Sequence, residues 1–140
     1  MTYLVVALGG ALGALGRWGV AEGLPSSGGG LPWATLLVNL TGCLLIGVLL
    51  AVLLEIRPRS PWLRPFLATG VLGGYTTYST FAVDVVRLVE ADAPALAAGY
   101  VAASVLGGLV AVVAGLLLGR AAVRAAATVD EELAAGEGLS

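Results

Sequence analysis

Charged side chains are scarce in this sequence, and histidine and lysine do not occur in it at all. Only 11% of the 140 residues are charged and 59% are apolar, whereas soluble domains have about a quarter charged and roughly half apolar residues. A soluble fold of this size needs more polar surface than this composition supplies. The sequence therefore predicts a membrane protein whose exterior is mostly in contact with lipid.

The same absences exclude several classes of function. A chain without histidine and with one cysteine, Cys43, forms neither an internal disulfide nor a zinc site of the usual Cys/His type. The formal net charge of −2 and the lack of a basic run argue against a nucleic-acid partner. An intramembrane enzyme is disfavoured because Ser79 has no histidine to act as its base. Cys43 lies in an apolar run and is interpreted as a packing residue.

Four apolar segments are each long enough to span a bilayer, which takes about 20 residues. Proline, glycine and charge clusters separate them. The sequence therefore predicts an all-α membrane protein with a four-helix transmembrane domain over residues 1–119. A polar, acidic C-terminal tail at 120–140 is predicted to be solvated and frayed. The predicted helices cover about 3–20, 32–54, 65–89 and 94–118.

The third segment is poorly suited to a continuous helix near the depth of the bilayer centre. Residues 73–80 read Gly-Gly-Tyr-Thr-Thr-Tyr-Ser-Thr, which contains few helix formers. Backbone groups released from a helix at that depth are tolerated only inside protein or beside a wet cavity. Freed carbonyl oxygens suit a hard alkali cation, so we interpret the break as an ion site. The alternative is a glycine-hinged kink whose hydroxyls bond to the preceding turn.

Four other polar positions lie within the predicted helices. The amide of Asn39 offers two donors, which suit either an anion site or a hydrogen bond between helices, and both interpretations stay open. Arg17 either extends to the interface or stands at a pore mouth, where it would concentrate anions. Asp84 and Arg87 are one helical turn apart and are predicted to pair with each other.

Three motifs that combine glycines with polar residues occur in order along the chain. The Gly9-x-x-x-Gly13 spacing in the first is a signature of close helix packing. The three motifs together resemble the fluoride channel family known as Fluc or CrcB, and the resemblance extends to about Gly119. The motifs are Gly9-Gly10-x-x-Gly13-Ala14-x-x-Arg17, Thr35-Leu36-x-Val38-Asn39-x-x-Gly42 and Gly73-Gly74-x-Thr76-Thr77-Tyr78-Ser79-Thr80-Phe81.

The resemblance implies a multi-pass channel of the bacterial inner (plasma) membrane that passes fluoride out of the cell passively and protects it from fluoride toxicity. It also implies an antiparallel, dual-topology homodimer with a structural sodium ion at the interface, bound by backbone carbonyls of Gly73 and Thr76. Tyr78 stands where the family usually has phenylalanine, and Gly108 stands where a further hydroxyl would be expected. The residues that the resemblance places along the fluoride path are Asn39, Tyr78, Thr80, Phe81, Tyr100 and Ser104.

The arginines are distributed unevenly between the two predicted membrane faces. Because positive charge favours the cytoplasmic face, this distribution predicts both termini in the cytoplasm. A dual-topology protein should be nearly balanced, so an antiparallel heterodimer with an oppositely biased paralogue is the alternative to the homodimer. The arginines predicted near one face are Arg57, Arg59, Arg64, Arg120 and Arg124, and those nearer the other face are Arg17 and Arg87.

Two other kinds of membrane protein remain as alternatives to a channel. A small four-helix multidrug/proton antiporter has a similar size but needs a membrane-embedded carboxylate. Glu22 lies at a predicted loop, and Asp84 is predicted to pair with Arg87, so neither fits that role. A purely structural packing subunit would account for the glycine spacing but not for the polar break.

Overall fold

The computed structural model describes residues 1–24, 30–56 and 60–137, with side chains described for all of these except 55, 56 and 129–137. Every regular element in these ranges is a helix. Arg57 and Arg59, which enter the prediction of topology, lie outside the described residues. The elements are α1 (Thr2–Gly23), α2 (Trp33–Ile56), the π-helical α3 (Pro65–Leu72), the single turn α4 (Gly73–Tyr75), α5 (Tyr78–Glu90) and α6 (Pro94–Glu137).

Three helices among the described residues are long and apolar enough to cross a membrane, namely Thr2–Gly23, Trp33–Leu54 and a window within Pro94–Thr128. The elements α3, α4 and α5 together make the third predicted segment, which is interrupted as predicted. Large exposed tryptophans flank the helices, with Trp18 and Trp33 close to one connection and Trp62 close to the next. Tryptophan prefers the membrane–water interface, so these positions mark the two limits of the apolar layer.

The connection between α5 and α6 is a tight, fully bonded helix end. Asp92 has a left-handed φ of 55°, and its backbone N–H donates to Val89 while the N–H of Ala93 donates to Leu88. These two bonds form a Schellman motif, which satisfies carbonyls at a helix end. Pro94 is the first residue of α6 and has no backbone N–H, which would have no acceptor within the helix at that position. This turn therefore reverses the chain over very few residues.

The predicted C-terminal end of the fourth helix was wrong. It was predicted to stop near residue 118, but α6 has 44 residues and continues to Glu137. Residues 121–127 are mostly alanine, the strongest helix former, and α6 contains no proline after its first residue. At about 1.5 Å per residue this helix is about 66 Å long, roughly twice the bilayer core. Its charged C-terminal part therefore projects beyond the apolar layer.

Glycine brings α1 into backbone contact with the interrupted segment, as the Gly9-x-x-x-Gly13 spacing predicted. A Cβ atom added at Gly9 would lie 3.0 Å from the Cα of Gly70. One added at Gly13 would lie 2.7 Å from the backbone nitrogen of Tyr75. Real side chains do not tolerate such distances, so α1 supports α3 and α4 directly through their main chains.

Replacing Gly13 with alanine is expected to destabilise the fold by about 1–3 kcal/mol, because the added methyl overpacks a backbone contact. The matched control in the same helix is Gly19→Ala, since a Cβ atom there meets nothing within 4 Å. The measurement is the thermal unfolding temperature of the purified protein in detergent. Equal unfolding temperatures for the two variants would show that α1 does not depend on this contact.

Candidate functional site

The interruption lies at two consecutive threonines. Thr76 has φ −76° and ψ 158°, and Thr77 has φ −146° and ψ 125°, so both are extended between α4 and α5. Thr77 is the N-cap of α5, because its hydroxyl accepts a hydrogen bond of 3.1 Å from the backbone N–H of Thr80. The predicted break at 73–80 is therefore confirmed, and it consists of two extended residues. The Thr76 hydroxyl donates to the carbonyl of Leu72 in the preceding turn at 2.9 Å, as the alternative of a kink predicted for the hydroxyls.

Asn39 on α2 forms two hydrogen bonds with the extended backbone at the break. Its Nδ2 donates to the carbonyl of Thr77 at 2.9 Å, and its Oδ1 accepts from the N–H of Thr77 at 2.9 Å. If the amide oxygen and nitrogen of Asn39 were exchanged, the oxygen would face the Thr77 carbonyl and the nitrogen would face the Thr77 N–H. The two hydrogen bonds therefore fix the orientation of the amide. Of the two interpretations left open by the sequence, the interhelical bond is thus realised. The second Nδ2 hydrogen takes no partner among the described residues.

The interruption removes the usual helical donors from the carbonyl groups of residues 73–76, and Gly73 and Thr76 are two of them. In a continuous helix Gly73 would accept from the N–H of Thr77, and Thr76 from that of Thr80. Those N–H groups donate instead to Asn39 and to the Thr77 hydroxyl. Gly73 is exposed, and a Cβ atom added to it would meet nothing within 4 Å. The two carbonyl oxygens can therefore bind a ligand outside this chain.

This donor set suits a hard cation of low charge. The described residues contain no group of three or more His, Cys, Asp or Glu side chains that could hold a metal ion. Neutral carbonyl oxygens are the ligands that alkali cations take in membrane proteins. The carbonyl oxygens of Gly73 and Thr76 alone would be too few to enclose such an ion.

A cavity of about 400 Å³ lies on one side of the break. Asn39, Thr76, Thr77 and Tyr78 supply its polar atoms, and Phe81 contributes a ring. None of the described residues that line it is charged. The hydroxyls of Thr76 and Thr77 already donate to other groups of the chain. The cavity can therefore offer amide, Tyr78 hydroxyl and ring-edge hydrogens to an anion without binding it through a full positive charge.

A second cavity, of about 280 Å³, lies on the other side of Thr77. Arg17 and Trp18 of α1 line it together with Thr35, Thr77 and Thr80. Thr77, whose backbone N–H and C=O are bonded by Asn39, therefore borders both cavities. Arg17 lies beside this second cavity, and its role at a pore mouth stays a prediction.

The aromatic residues predicted for the site are brought together. The ring centroids of Tyr78 and Phe81 are 6.0 Å apart, and those of Phe81 and Tyr100 are 5.3 Å apart. Tyr78 is 80% exposed, whereas Tyr100 is fully buried. Ser104 follows one turn after Tyr100 on α6. The buried Tyr100 hydroxyl lies beside the side chains of Thr35 and Asp84, and the Ser104 Oγ is buried without a hydrogen-bond partner among the described residues.

The predicted pairing of Asp84 with Arg87 is wrong. The carboxylate of Asp84 is buried and accepts a hydrogen bond of 2.7 Å from the hydroxyl of Thr35. Arg87 is exposed. Thr35 and Thr77 were the residues whose contacts the sequence did not reveal, although both lie in the recognised motifs. The argument that an ion pair occupies the Asp84 carboxylate therefore no longer counts against the antiporter alternative.

Asn39→Ala is expected to destabilise the protein by about 1–3 kcal/mol for each backbone group of Thr77 that it leaves unpaired. Asn39→Asp keeps an acceptor but loses the donor, so it should also be destabilised. Thr128→Ala is the control, because Thr128 on α6 is exposed and donates at 2.9 Å to Ala125 of its own helix. Thermal unfolding in detergent measures all three. An Asn39→Ala protein as stable as Thr128→Ala would contradict the assignment.

Helices that cross a membrane, one of them interrupted at depth beside polar cavities, define the class of channels and transporters. The sequence model of the family described as CrcB-like protein, Camphor Resistance (CrcB), matches residues 4–116. This chain belongs to that family.

Curated relatives cover most of the chain. A fluoride-specific ion channel FluC of Paracoccus denitrificans is 49% identical over 119 residues, which are 85% of this chain and 94% of the relative. FluC 2 of Nocardia farcinica is 44% identical over 86% of this chain and 84% of the relative. FluC 2 of Streptomyces avermitilis is 48% identical over 71% of this chain, and the match spans only 63% of that relative.

Proposed function

We propose that this chain is a subunit of a fluoride-selective ion channel through which fluoride leaves the cell passively, and that it is not an enzyme. The observation that carries the proposal is the extended backbone of Thr77, which is bonded by Asn39 and borders two cavities that polar residues line in part. The relatives named fluoride-specific ion channels supply the identity of the ion. Passive loss of fluoride would protect the cell from its toxicity.

Conduction of a small anion requires dehydration without tight binding. Hydroxyl and amide hydrogens and the positive edges of aromatic rings replace water at modest strength. The path proposed for this purpose includes the second Nδ2 hydrogen of Asn39. Arg17, beside the other cavity, would raise the local anion concentration without standing in the path. Several weak sites in series allow an ion to leave as readily as it enters. The other residues proposed for the path are Tyr78, Thr80, Phe81, Tyr100 and Ser104.

The carbonyl oxygens of Gly73 and Thr76 are the proposed ligands of a structural sodium ion. Their helical donors are engaged elsewhere, and Gly73 faces open space, which supports this assignment. A bound cation would supply fixed positive charge near the anion path without placing a charged side chain in it. Because Gly73 and Thr76 of one chain would supply two oxygens, we expect the remaining ligands to come from a second subunit.

An antiparallel dimer in the bacterial inner membrane is the proposed assembly. The exposed ring of Tyr78 and the incomplete carbonyl set both support a second subunit beside the break. A homodimer is the first candidate, and a heterodimer with a paralogue is the alternative that the uneven arginines favour. Relatives with numbered names, FluC 1 in Streptomyces coelicolor and FluC 2 in Streptomyces avermitilis, support the existence of such pairs.

Liposomes containing only the purified chain are expected to release fluoride rapidly and chloride much more slowly, as measured with ion-selective electrodes. Phe81→Leu keeps an apolar side chain but removes the ring edge, so fluoride release should slow about tenfold. Val83→Leu on the exposed side of α5 is the control and should release fluoride at the original rate. Release that requires a proton gradient would favour the antiporter instead.

Sodium is expected to stabilise the purified protein relative to the bulky cation N-methyl-D-glucamine at equal ionic strength. A ligand present at 100 times its dissociation constant stabilises by about 2.7 kcal/mol. Thermal unfolding across a sodium titration measures the effect, and potassium tests its selectivity. The same unfolding temperature in all three salts would contradict a sodium site.

The homodimer and the heterodimer differ in the orientation of the chain. Reporter domains fused after the C-terminus, one active only in the cytoplasm and one only in the periplasm, are expected to give signals from both compartments for a dual-topology homodimer. A signal from the cytoplasm alone would contradict the homodimer and indicate an oppositely oriented paralogue.

A further inference from the structure

Tyr75, the last residue of α4, is held by the helices on both sides of it. Its ring lies between two glycines, because a Cβ atom added at Gly16 of α1 would lie 3.5 Å from one edge of the ring and one added at Gly42 of α2 would lie 3.6 Å from the other. Its hydroxyl is 3.0 Å from that of Thr41 on α2. Thr41 already donates to a carbonyl of its own helix at 2.6 Å, so the shared hydrogen belongs to Tyr75. Tyr75 is therefore fixed one residue before the extended backbone begins.

Thr76 packs against the same position of α2, which has no side chain. A Cβ atom added at Gly42 would clash with the Cγ2 methyl of Thr76, whereas its next neighbours would lie 3.6 Å away or more. The Thr76 hydroxyl donates to the carbonyl of Leu72 at 2.9 Å. Because methyl and hydroxyl are attached to one carbon, a rotamer that moved the methyl away from α2 would also break this hydrogen bond.

These contacts fix the direction of the Thr76 carbonyl. The Oδ1 of Asn39 accepts the N–H of Thr77 at 2.9 Å. The peptide bond between Thr76 and Thr77 is trans, so the Thr76 carbonyl points opposite to that N–H and away from Asn39. The other end of the same peptide unit is the Cα of Thr76, which the methyl contact and the hydroxyl bond hold. The direction of the carbonyl therefore depends on Gly42 as well as on Asn39.

We propose that Gly42 and Tyr75 are positioning residues of the cation site, which keep the Thr76 carbonyl oxygen directed away from α2. The inference rests on the proposed sodium ion, and neither residue is itself a proposed ligand. A carbonyl that is held in place before the ion arrives loses less conformational freedom when the ion binds. The contacts of α2 with residues 75–77 therefore raise the affinity for sodium as well as closing the break.

Gly42→Ala is expected to raise the dissociation constant of sodium about tenfold, because the added methyl forces Thr76 out of its rotamer. Adding Thr76→Ser removes the Cγ2 methyl and keeps the hydroxyl, so the double variant should bind sodium as tightly as Thr76→Ser alone. The constant is obtained from the rise of the unfolding temperature with sodium concentration, relative to N-methyl-D-glucamine. A glycine with a merely structural role would lower the unfolding temperature in every salt and leave the constant unchanged, which would overturn the proposal for Gly42.

Tyr75→Phe tests the second residue with a milder change, because it removes only the hydroxyl that is bonded to Thr41. Loss of one net hydrogen bond should raise the sodium dissociation constant about fivefold. Tyr3→Phe is the matched control, since Tyr3 is 90% exposed and its substitution should keep the original constant. Equal constants for Tyr75→Phe and Tyr3→Phe would overturn the role of Tyr75 while leaving the sodium site intact. An unchanged chain that sodium does not stabilise would overturn the sodium site itself and, with it, this inference.

Discussion

The pair of hydrogen bonds between Asn39 and Thr77 is the interaction on which the rest of the site depends. Hydrocarbon cannot satisfy a released N–H and C=O, and each unpaired group is costly at that depth. A side-chain amide is suited to this position because it offers an acceptor and a donor together, whereas a carboxylate cannot donate and a hydroxyl has one hydrogen. With Thr77 held in this way, α5 can start in a new direction, and the carbonyls of Gly73 and Thr76 lose their helical partners.

The interrupted segment also packs against α1, and the two are in contact through their main chains. At Gly9 and Gly13 the helix backbone reaches the backbones of α3 and α4, with no side chain between them. Contacts of this kind leave little room for the interrupted segment to slide or rotate. They also place Arg17, one turn beyond Gly13, beside the second cavity. The glycine motif therefore positions a charged side chain as well as a backbone.

The sequence predicted features that depend on composition and spacing, and failed where the facing partner decides. Four apolar segments, the break at 73–80 and the glycine contact could be inferred locally. The role of Asn39 could not be inferred, because a side-chain amide can bind an anion as readily as it binds backbone N–H and C=O groups. Asp84 was wrongly paired with Arg87 because spacing along a helix does not show which face is buried. The end of α6 was misjudged because polar composition was taken as a helix terminator, although alanine and arginine both favour helix.

Attraction and dehydration of an anion are assigned to different places in the proposed channel. Arg17 borders only the second cavity, whereas the larger one has no charged residue among those described. A fixed charge within the path would deepen one binding site and slow release, so its place outside the larger cavity favours conduction. The single chain leaves the Tyr78 ring 80% exposed and the Gly73 carbonyl without its helical donor. Both lie at the break, so a second subunit docking there would complete the wall of the path and the cation site in one contact.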